Sequence, residues 1–586
     1  MLSVLFFDSD DGSVGGPSYA ALMPDTVALV IGPTAADAWG APEVPRAAVV
    51  GADVSAVVDL GELPALVARL EEGRPRWVWW SAAEVVGPLL AAGVRVARAW
   101  DVAEAHRLLA GGWSAEPAEA WALAHDLDPA GMPARHRGDL LDLLGADETP
   151  GTGPADDVTR PDGYLRADAA AGAWAITDDR LLTWAKTVLT CADAQHRLAS
   201  ATSPRLVATI HAESAAAVLC AELGHDGLPV DRAVLLDLVE PMSGPPAERD
   251  ARVLAHVPGR EHLDLRNPAQ VRELLGAVGI DVPSTRKHVL EQYANVHPVV
   301  PALLAWRADE RIATTYGVRW IAEHVGPDHR LRGEWRACDG GAGRMTAASG
   351  LHNLPALLRP GVAAHEGHVF VRADLGQIEP RVLAVVSGDP AFVQATMADD
   401  LYAPVAQTLG VERAVAKVAV LSAMYGGRAG QAAAALQGLE RAYPTAIRLL
   451  EGAYAAGVRG ESVRTFGGRL IPTTRMLGPD GRPGTNPELD AARGRFTRNA
   501  IIQGAAAELF KAWAATVRAT TAHLGARIVL CLHDELLVHV PAAHGEEAAR
   551  LVDVALQDAS RRWSGGSGVR FVSDTRVITR WSDAKE

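Results

Sequence analysis

The chain has 586 residues, 48% of them hydrophobic, and a formal net charge of −15; that length exceeds one ordinary core and predicts about three to four compact units. The acidic balance excludes blanket attraction to nucleic acid but leaves room for a local basic groove, because binding responds to the field near the site. No apolar run of about 18 residues predicts a spanning helix, the opening MLSVLFF is a poor signal peptide, and four cysteines without metal-type spacing read as reduced thiols of a cytoplasmic protein.

Up to about residue 200, apolar runs predict strands at Val27–Ile31, Ala47–Val50 and Trp77–Trp80. Between them lie helical patterns at Leu63–Leu70 and Val102–Leu109, so this part reads as a small α/β unit. Residues 128–172 are rich in Pro, Gly and Asp and read as loops. From 205 to 330 the pattern is helical, over Ala212–Leu223, Pro268–Val278 and Val299–Val325. Residues 331–375 read as extended, 378–457 as helices and 462–490 as a loop. A long helix follows over about 488–524, and strands flank His533–Glu535.

Two acids carry most of the chemistry. Asp374, in VFVRADLGQIEPR, and Asp534, in IVLCLHDELLVHVP, each follow an apolar run that reads as a buried strand. A carboxylate is costly to bury unless it is paired or holds a metal. Two of them on adjacent strands could share a pair of Mg²⁺ ions and stabilise both oxygens of a phosphoryl transfer. In GVERAVAKVAVLSAMYGG, Arg413, Lys417, Leu421 and Tyr425 recur every four residues and share one helix face. Such a face can grip a polyphosphate, protonate a leaving pyrophosphate and stack a base. It equally fits an amphipathic helix with two solvated cations. Only five lysines occur (186, 287, 417, 511 and 585), so one kept inside a patterned helix draws notice.

These segments resemble DNA polymerase family A, the bacterial DNA polymerase I type. DLGQIEPR (374–381), RAVAKVAVLSAMYGG (413–427) and HDE (533–535) are similar to its three polymerase motifs. GRMTAASGLHNLP (343–355) and FTRNAIIQGAAAELFK (496–511) are similar to two further segments. The likeness covers about residues 205–586 and keeps the family's order. It implies α/β and α+β units: a ribonuclease H-like, exonuclease-like domain at 1–204, then a right hand. The hand has a thumb at 205–330, palm at 331–385, fingers at 386–490 and a second palm segment at 491–586. It implies a DNA-directed DNA polymerase using two Mg²⁺, with Mn²⁺ as a substitute. Primer–template DNA and deoxynucleoside triphosphates would be its partners, and it would act as a monomer, off the membrane, in a bacterial or phage-infected cytoplasm.

The resemblance also implies roles. Asp374 and Asp534 would hold the metals, with Glu535 in support and His533 near the primer end. Arg413 and Lys417 would bind the triphosphate, Lys417 as general acid. Tyr425 would guard the templating position, Leu421 would lie beneath the nucleotide, and Gln377 and Tyr402 would line its site. Glu379 would fill the space of a ribose 2′-hydroxyl. Arg344, Asn353, Arg495, Asn499 and Gln503 would contact DNA through minor-groove features common to correct pairs. The family's Tyr, Ser and Leu in the first motif are here Leu375, Gly376 and Pro380, and its aromatic beneath the nucleotide is Leu421. Those changes imply weaker nucleotide binding and altered sugar discrimination. Alternatives are a single-subunit RNA polymerase, against which Glu379 argues, and a noncatalytic DNA-binding scaffold.

A proofreading site needs four carboxylates. The sequence offers Asp8 and Asp10, then Glu84, then Asp193 with Leu189 where a Tyr belongs, or Tyr164 with Asp168. The expectation is a degenerate exonuclease fold without activity.

Overall fold

The computed structural model describes residues 25–33, 45–133, 157–170, 173–426, 432–476, 483–484, 486–532 and 534–585. Its first unit is a five-stranded sheet ordered β3-β2-β1-β4-β5. The strands are β1 (Thr26–Ile31), β2 (Arg46–Gly51), β3 (Ser55–Asp59), β4 (Arg76–Trp79) and β5 (Arg98–Asp101). β1 runs antiparallel to β2 and parallel to β4, and β4 runs parallel to β5. The strands are apolar on both faces because helices cover both. Ala28, Val30, Ala48, Val50 and Val78 face α4 (Asp178–Thr202). Val27, Leu29, Ala47, Val49 and Trp77 face α1 (Leu63–Glu71) and α2 (Ala82–Ala91). Asp101 ends β5 and caps α3 (Val102–Ala110), accepting from Glu104 N at 2.9 Å, Ala82 N at 2.7 Å and Trp79 Nε1 at 3.1 Å.

The helix α5 (Pro204–Asp226) opens the stretch read as a separate helical unit, yet it packs on β5 and α2. It is long and apolar enough to cross a bilayer, but 67% of that apolar window is buried inside the protein, as in a core helix. The helical lobe therefore starts after it: α6 (Arg232–Val239), α7 (Pro246–Leu254), α8 (Pro268–Gly276), α9 (Val299–Thr315) and α10 (Val318–His324). Leu254, Val271, Leu274, Leu303 and Trp306 give most of this lobe its own core. The single helix expected over Val299–Val325 is two, because the chain leaves helical geometry at Tyr316 and Gly317.

The largest core surrounds a four-stranded antiparallel sheet. Its elements are β6 (His368–Leu375), α11 (Ile378–Ser387), α12 (Tyr402–Leu409), α13 (Arg413–Tyr425), α14 (Ala432–Ala442), α15 (Pro444–Val458), α16 (Pro487–Thr521), β7 (Arg527–Leu532), β8 (Glu535–Pro541), α17 (Gly545–Ser564) and β9 (Ser573–Ile578), with strand order β7-β8-β6-β9. The segment read as extended before β6 holds only short pairings, such as Trp335–Arg336 with Thr346–Ala347, and tight turns. The stretch read as a loop at 462–490 contains a small hairpin, Val463–Arg464 with Leu470–Ile471.

α16 has 35 residues, so it spans about 50 Å and crosses the whole unit. It lies close against α15 where both helices carry glycine. A Cβ on Gly457 would stand 2.2 Å from Thr497 Oγ1, and one on Gly494 would stand 2.7 Å from the Tyr454 ring. Deeper in the same helix, fully buried Lys511 donates to Glu213 Oε2 of α5 at 2.6 Å and to Gly343 O at 2.5 Å. Arg469 of the hairpin pairs with the same Glu213 at 2.7 Å. The buried Glu213–Lys511 pair thus ties the first unit, the hairpin and the 343 loop to α16. Losing either partner would leave a buried charge poorly compensated.

Candidate active site

The site sits where β6 ends. Its register places Asp374 opposite Glu535 on β8 and opposite Asp574 on β9. Leu375 N donates to Asp534 O at 2.8 Å, so the chain next to Asp374 is bonded directly to the residue before β8. Geometry thus brings the two acids together from positions 160 apart. Burial, and next the charge of Asp374, push the Asp534 carboxyl up to about 7; Glu535 and Glu379 add to the effect. Asp374 is raised too, first by burial, with Glu535 and Asp574 adding and Arg372 opposing. Glu535 is buried; its Oε1 accepts from Arg372 Nε at 2.7 Å and Trp581 Nε1 at 2.8 Å. His533 lies outside the described residues.

After β6 the chain turns sharply. Gln377 adopts a left-handed φ of 54° and precedes α11, which puts Pro380 in the first turn, where its missing N–H leaves no intrahelical bond unmade. Gln377 is held at both ends, donating to Asp400 Oδ1 at 3.1 Å and accepting from Leu401 N at 3.0 Å. Arg381 is fully buried and donates to the carbonyls of Gly376, Thr396, Ala398, Asp399 and Arg570. Together they fix the 396–401 loop beside the end of β6. Glu379 is half-buried, and Tyr425 Oη donates to its Oε2 at 2.8 Å. Burial raises the Glu379 pKa, with that bond and Arg344 opposing.

α13 carries the predicted face and ends at Gly426, whose φ of 79° supplies the left-handed stop that Gly tolerates best. Lys417 is exposed, with no ion-pair partner among the described residues. Arg413 is exposed but paired with Asp400, and its guanidinium lies 5.7 Å from the buried Tyr402 ring. Leu421 is partly buried against the core, and Tyr425 is 42% exposed. Of the outer residues, Arg344 pairs with Asp339 at 3.1 Å. Asn353 is exposed in a tight turn whose carbonyl accepts from Arg311 Nη2 and Tyr316 Oη, each at 2.9 Å. Arg495 is exposed with its stem against Gly426, while Asn499 and Gln503 are half-buried one turn apart on α16.

Two residues escaped the sequence reading. Arg372 stands two residues before Asp374 on the same strand face; the polar–apolar–polar break in VFVRAD signalled it. Asp574 is a single acid with no motif, visible only through register.

The carboxylates suit a hard divalent cation. Among the described residues no three His, Cys, Asp or Glu side chains form a ready metal cage. Mg²⁺ does not need one: it is usually held by one or two carboxylates with water and substrate phosphates. Asp374 and Asp534, whose carboxyls are both raised first by burial, are such a pair.

Among the described residues, the acids of the proofreading expectation do not meet. β1 carries TVALVI, with no carboxylate, and Asp8 and Asp10 lie outside the described residues. Asp193 borders a cavity of about 550 Å³ with Asp25, Asp53 and Lys186, at the end where β1 and its parallel neighbour β4 begin. Glu84 lies on α2, beyond the other end of β4. Tyr164 donates to Asp128 O at 2.8 Å, and Asp168 pairs with Arg166 at 2.9 Å, both as loop braces.

A family model described as DNA polymerase family A matches residues 252–582. The chain is 28% identical to a thermostable DNA polymerase I of Thermus thermophilus over 303 residues, 47% of this chain and 36% of that protein. It is 30% identical to a DNA polymerase I of Chloroflexus aurantiacus over 301 residues, 46% of this chain and 31% of that protein. It is 28% identical to DNA polymerase theta of Caenorhabditis elegans over 302 residues, 47% of this chain and 18% of that protein. The matched stretch thus spans about a third or less of these relatives. In fold, the chain is similar to the POL domain of Pol1 from M. smegmatis, solved in complex with DNA primer-template and dNTP. The TM-score is 0.67 at 21% identity, covering 96% of each chain.

Proposed function

The chain belongs to DNA polymerase family A, and on that premise we propose that it extends a DNA primer with deoxynucleotides under the direction of a template. The observation that carries this reading is the strand pairing that brings Asp374 beside Asp534, with α13 packing its buried face into the same core and carrying Lys417 on its exposed face.

Asp374 and Asp534 would hold two Mg²⁺ ions, with Mn²⁺ able to replace them. When bound, such ions lower the pKa of the primer 3′-hydroxyl and neutralise charge on the leaving pyrophosphate. Arg413 takes the triphosphate by exchanging Asp400 for phosphate oxygens, a better acceptor set for its planar fork. Lys417, exposed and without an ion-pair partner among the described residues, donates a proton to the departing pyrophosphate. Tyr425 holds Glu379 where a 2′-hydroxyl would fall, which favours deoxynucleotides over ribonucleotides. Leu421 lies beneath the nucleotide without a flat ring. Tyr402 and Gln377 act behind the site: Tyr402 under Arg413, Gln377 by holding the Asp400 loop. Arg344, Asn353, Arg495, Asn499 and Gln503 face primer, template and nascent pair, and His533 the primer end. Closing of α13 toward the sheet would exclude water and couple chemistry to pair shape.

The first unit serves as a rigid support without 3′-exonuclease activity, a reading supported by the separation of Glu84 from Asp193 among the described residues. The four cysteines are buried and free, which suits a reducing bacterial cytoplasm. The lobe at 227–330 acts as the thumb.

One assay tests the whole reading. A labelled primer–template is offered dNTPs or NTPs, with and without Mg²⁺, to the protein and to Asp374→Asn and Asp534→Asn. Metal-dependent extension with dNTPs, lost in both variants, is expected. Extension only with NTPs would support the RNA polymerase alternative. No extension with retained DNA binding would leave the scaffold. Shortening of the primer would overturn the inactive exonuclease.

A further inference from the structure

Cross-strand neighbours share a sheet face with Cβ atoms roughly 5 Å apart, and like charges directly opposite repel. β8, β6 and β9 nevertheless line up Glu535, Asp374 and Asp574 in one transverse row. Arg372, one step back on the same face, reaches all three. Its Nε donates to Glu535 at 2.7 Å, its Nη1 to Asp574 at 3.1 Å and its Nη2 to Asp374. The guanidinium and Glu535 are both buried, with side chains 10% and 9% exposed, so solvent screens that bond little, while Asp374 and Asp574 are more open to water. A planar fork with five donors can satisfy three carboxylates at once; an ammonium cannot hold them in that geometry.

We propose that Arg372 is a positioning residue for the metal site: it keeps Asp374 and Glu535 assembled without a divalent ion and, as a fixed cation beside Asp374, weakens the affinity for that ion. The inference rests on the reading of Asp374 and Asp534 as metal ligands. Glu535 Oε1, already taken by Arg372 and Trp581, then acts as an anchor for Arg372 more than as a ligand. The divalent ion must share Asp374 with the guanidinium, so a higher metal concentration is needed to fill the site.

The test is Mn²⁺ binding to the DNA-free protein, read by loss of the free-ion paramagnetic signal, alongside single-turnover incorporation at saturating metal. Thermal melting reports whether each variant is folded. Arg372→Gln is expected to bind Mn²⁺ about tenfold more tightly, the scale of removing one nearby positive charge, and to incorporate nucleotide at least about tenfold more slowly because the row is no longer held. Arg372→Lys is expected to keep the Mn²⁺ affinity within about twofold, since the charge stays, and still to slow incorporation. A folded Arg372→Gln with unchanged Mn²⁺ affinity overturns the proposal. So does Arg372→Lys with the full rate, which decides the matter alone if the glutamine variant does not fold. Asp374→Asn is the control for the underlying reading: if it binds Mn²⁺ as the unaltered protein does, the metal-site assignment itself fails, independently of Arg372.

Discussion

Replacing Tyr425 by Phe removes one hydroxyl and keeps the ring. The lost contact is a 2.8 Å hydrogen bond to the half-buried carboxylate of Glu379. A hydrogen bond to a charged group contributes about 1.5–3 kcal/mol when shielded. Tyr425 is 42% exposed, so solvent competes and about 1 kcal/mol is the better figure. That is roughly a fivefold change in an equilibrium. Without its tether Glu379 turns away part of the time, and a 2′-hydroxyl finds room. The assay is single-turnover incorporation of dATP and ATP opposite thymine, compared as the ratio of kcat/KM. Tyr425→Phe should lower discrimination about fivefold, with dATP use changed less. Glu379→Ala, which removes the blocking group itself, should lower it by about 10²-fold, the scale of a lost steric contact. Full discrimination in Glu379→Ala would refute the gate. A Tyr425→Phe defect as large as that of Glu379→Ala would place the block on Tyr425 and refute the tether.

Lys417→Ala should slow incorporation by about 10²-fold or more, the usual contribution of a general acid, while DNA affinity by fluorescence anisotropy falls less than threefold, within about 0.7 kcal/mol; equal losses would contradict the role. Leu421→Phe should tighten nucleotide binding by about three- to tenfold through a restored stacking face, read as KM for dNTP; an unchanged KM would mean that Leu421 does not lie under the nucleotide. His539 gives a pH dependence of stability. Burial first, then the nearby His368, Arg330 and His365, lower its pKa from 6.5 to about 3, and its ring stacks on His368 at 4.5 Å and lies 5.7 Å from Phe370. Folded His539 stays neutral while the unfolded chain takes up a proton, so stability present above pH 6.5 drains as pH falls toward 3. The loss is a few kcal/mol by linkage at most, on the order of 1.4 kcal/mol per unit. His539→Asn should flatten the fall of melting temperature between pH 6.5 and 4.5, and an equal slope would refute the assignment.

Much of this protein was written in local pattern. The β-branched runs ending in Asp374 and Asp534, the four-residue spacing of Arg413, Lys417, Leu421 and Tyr425, and the glycine stop at Gly426 all report on neighbours within a few residues, so a linear reading finds them. The break of one helix at Tyr316 was missed because Val299–Val325 keeps an apolar period through it, and propensity there is weak. The place of α5 was missed because its apolar pattern names no partner; β5, α2 and α16 supply it.

By itself the sequence determined which side chains are available for phosphoryl transfer and on which strand or helix each rides, since strand and helix periods follow from backbone geometry alone. Tertiary structure decided who meets whom. Strand register set Glu535, Asp374 and Asp574 side by side under Arg372, while helix packing aimed Tyr425 at Glu379, tied Arg413 to Asp400 and parted Glu84 from Asp193. Charges repel or pair through space, and the distance between residues far apart in the chain is set only when strands pair and helices pack.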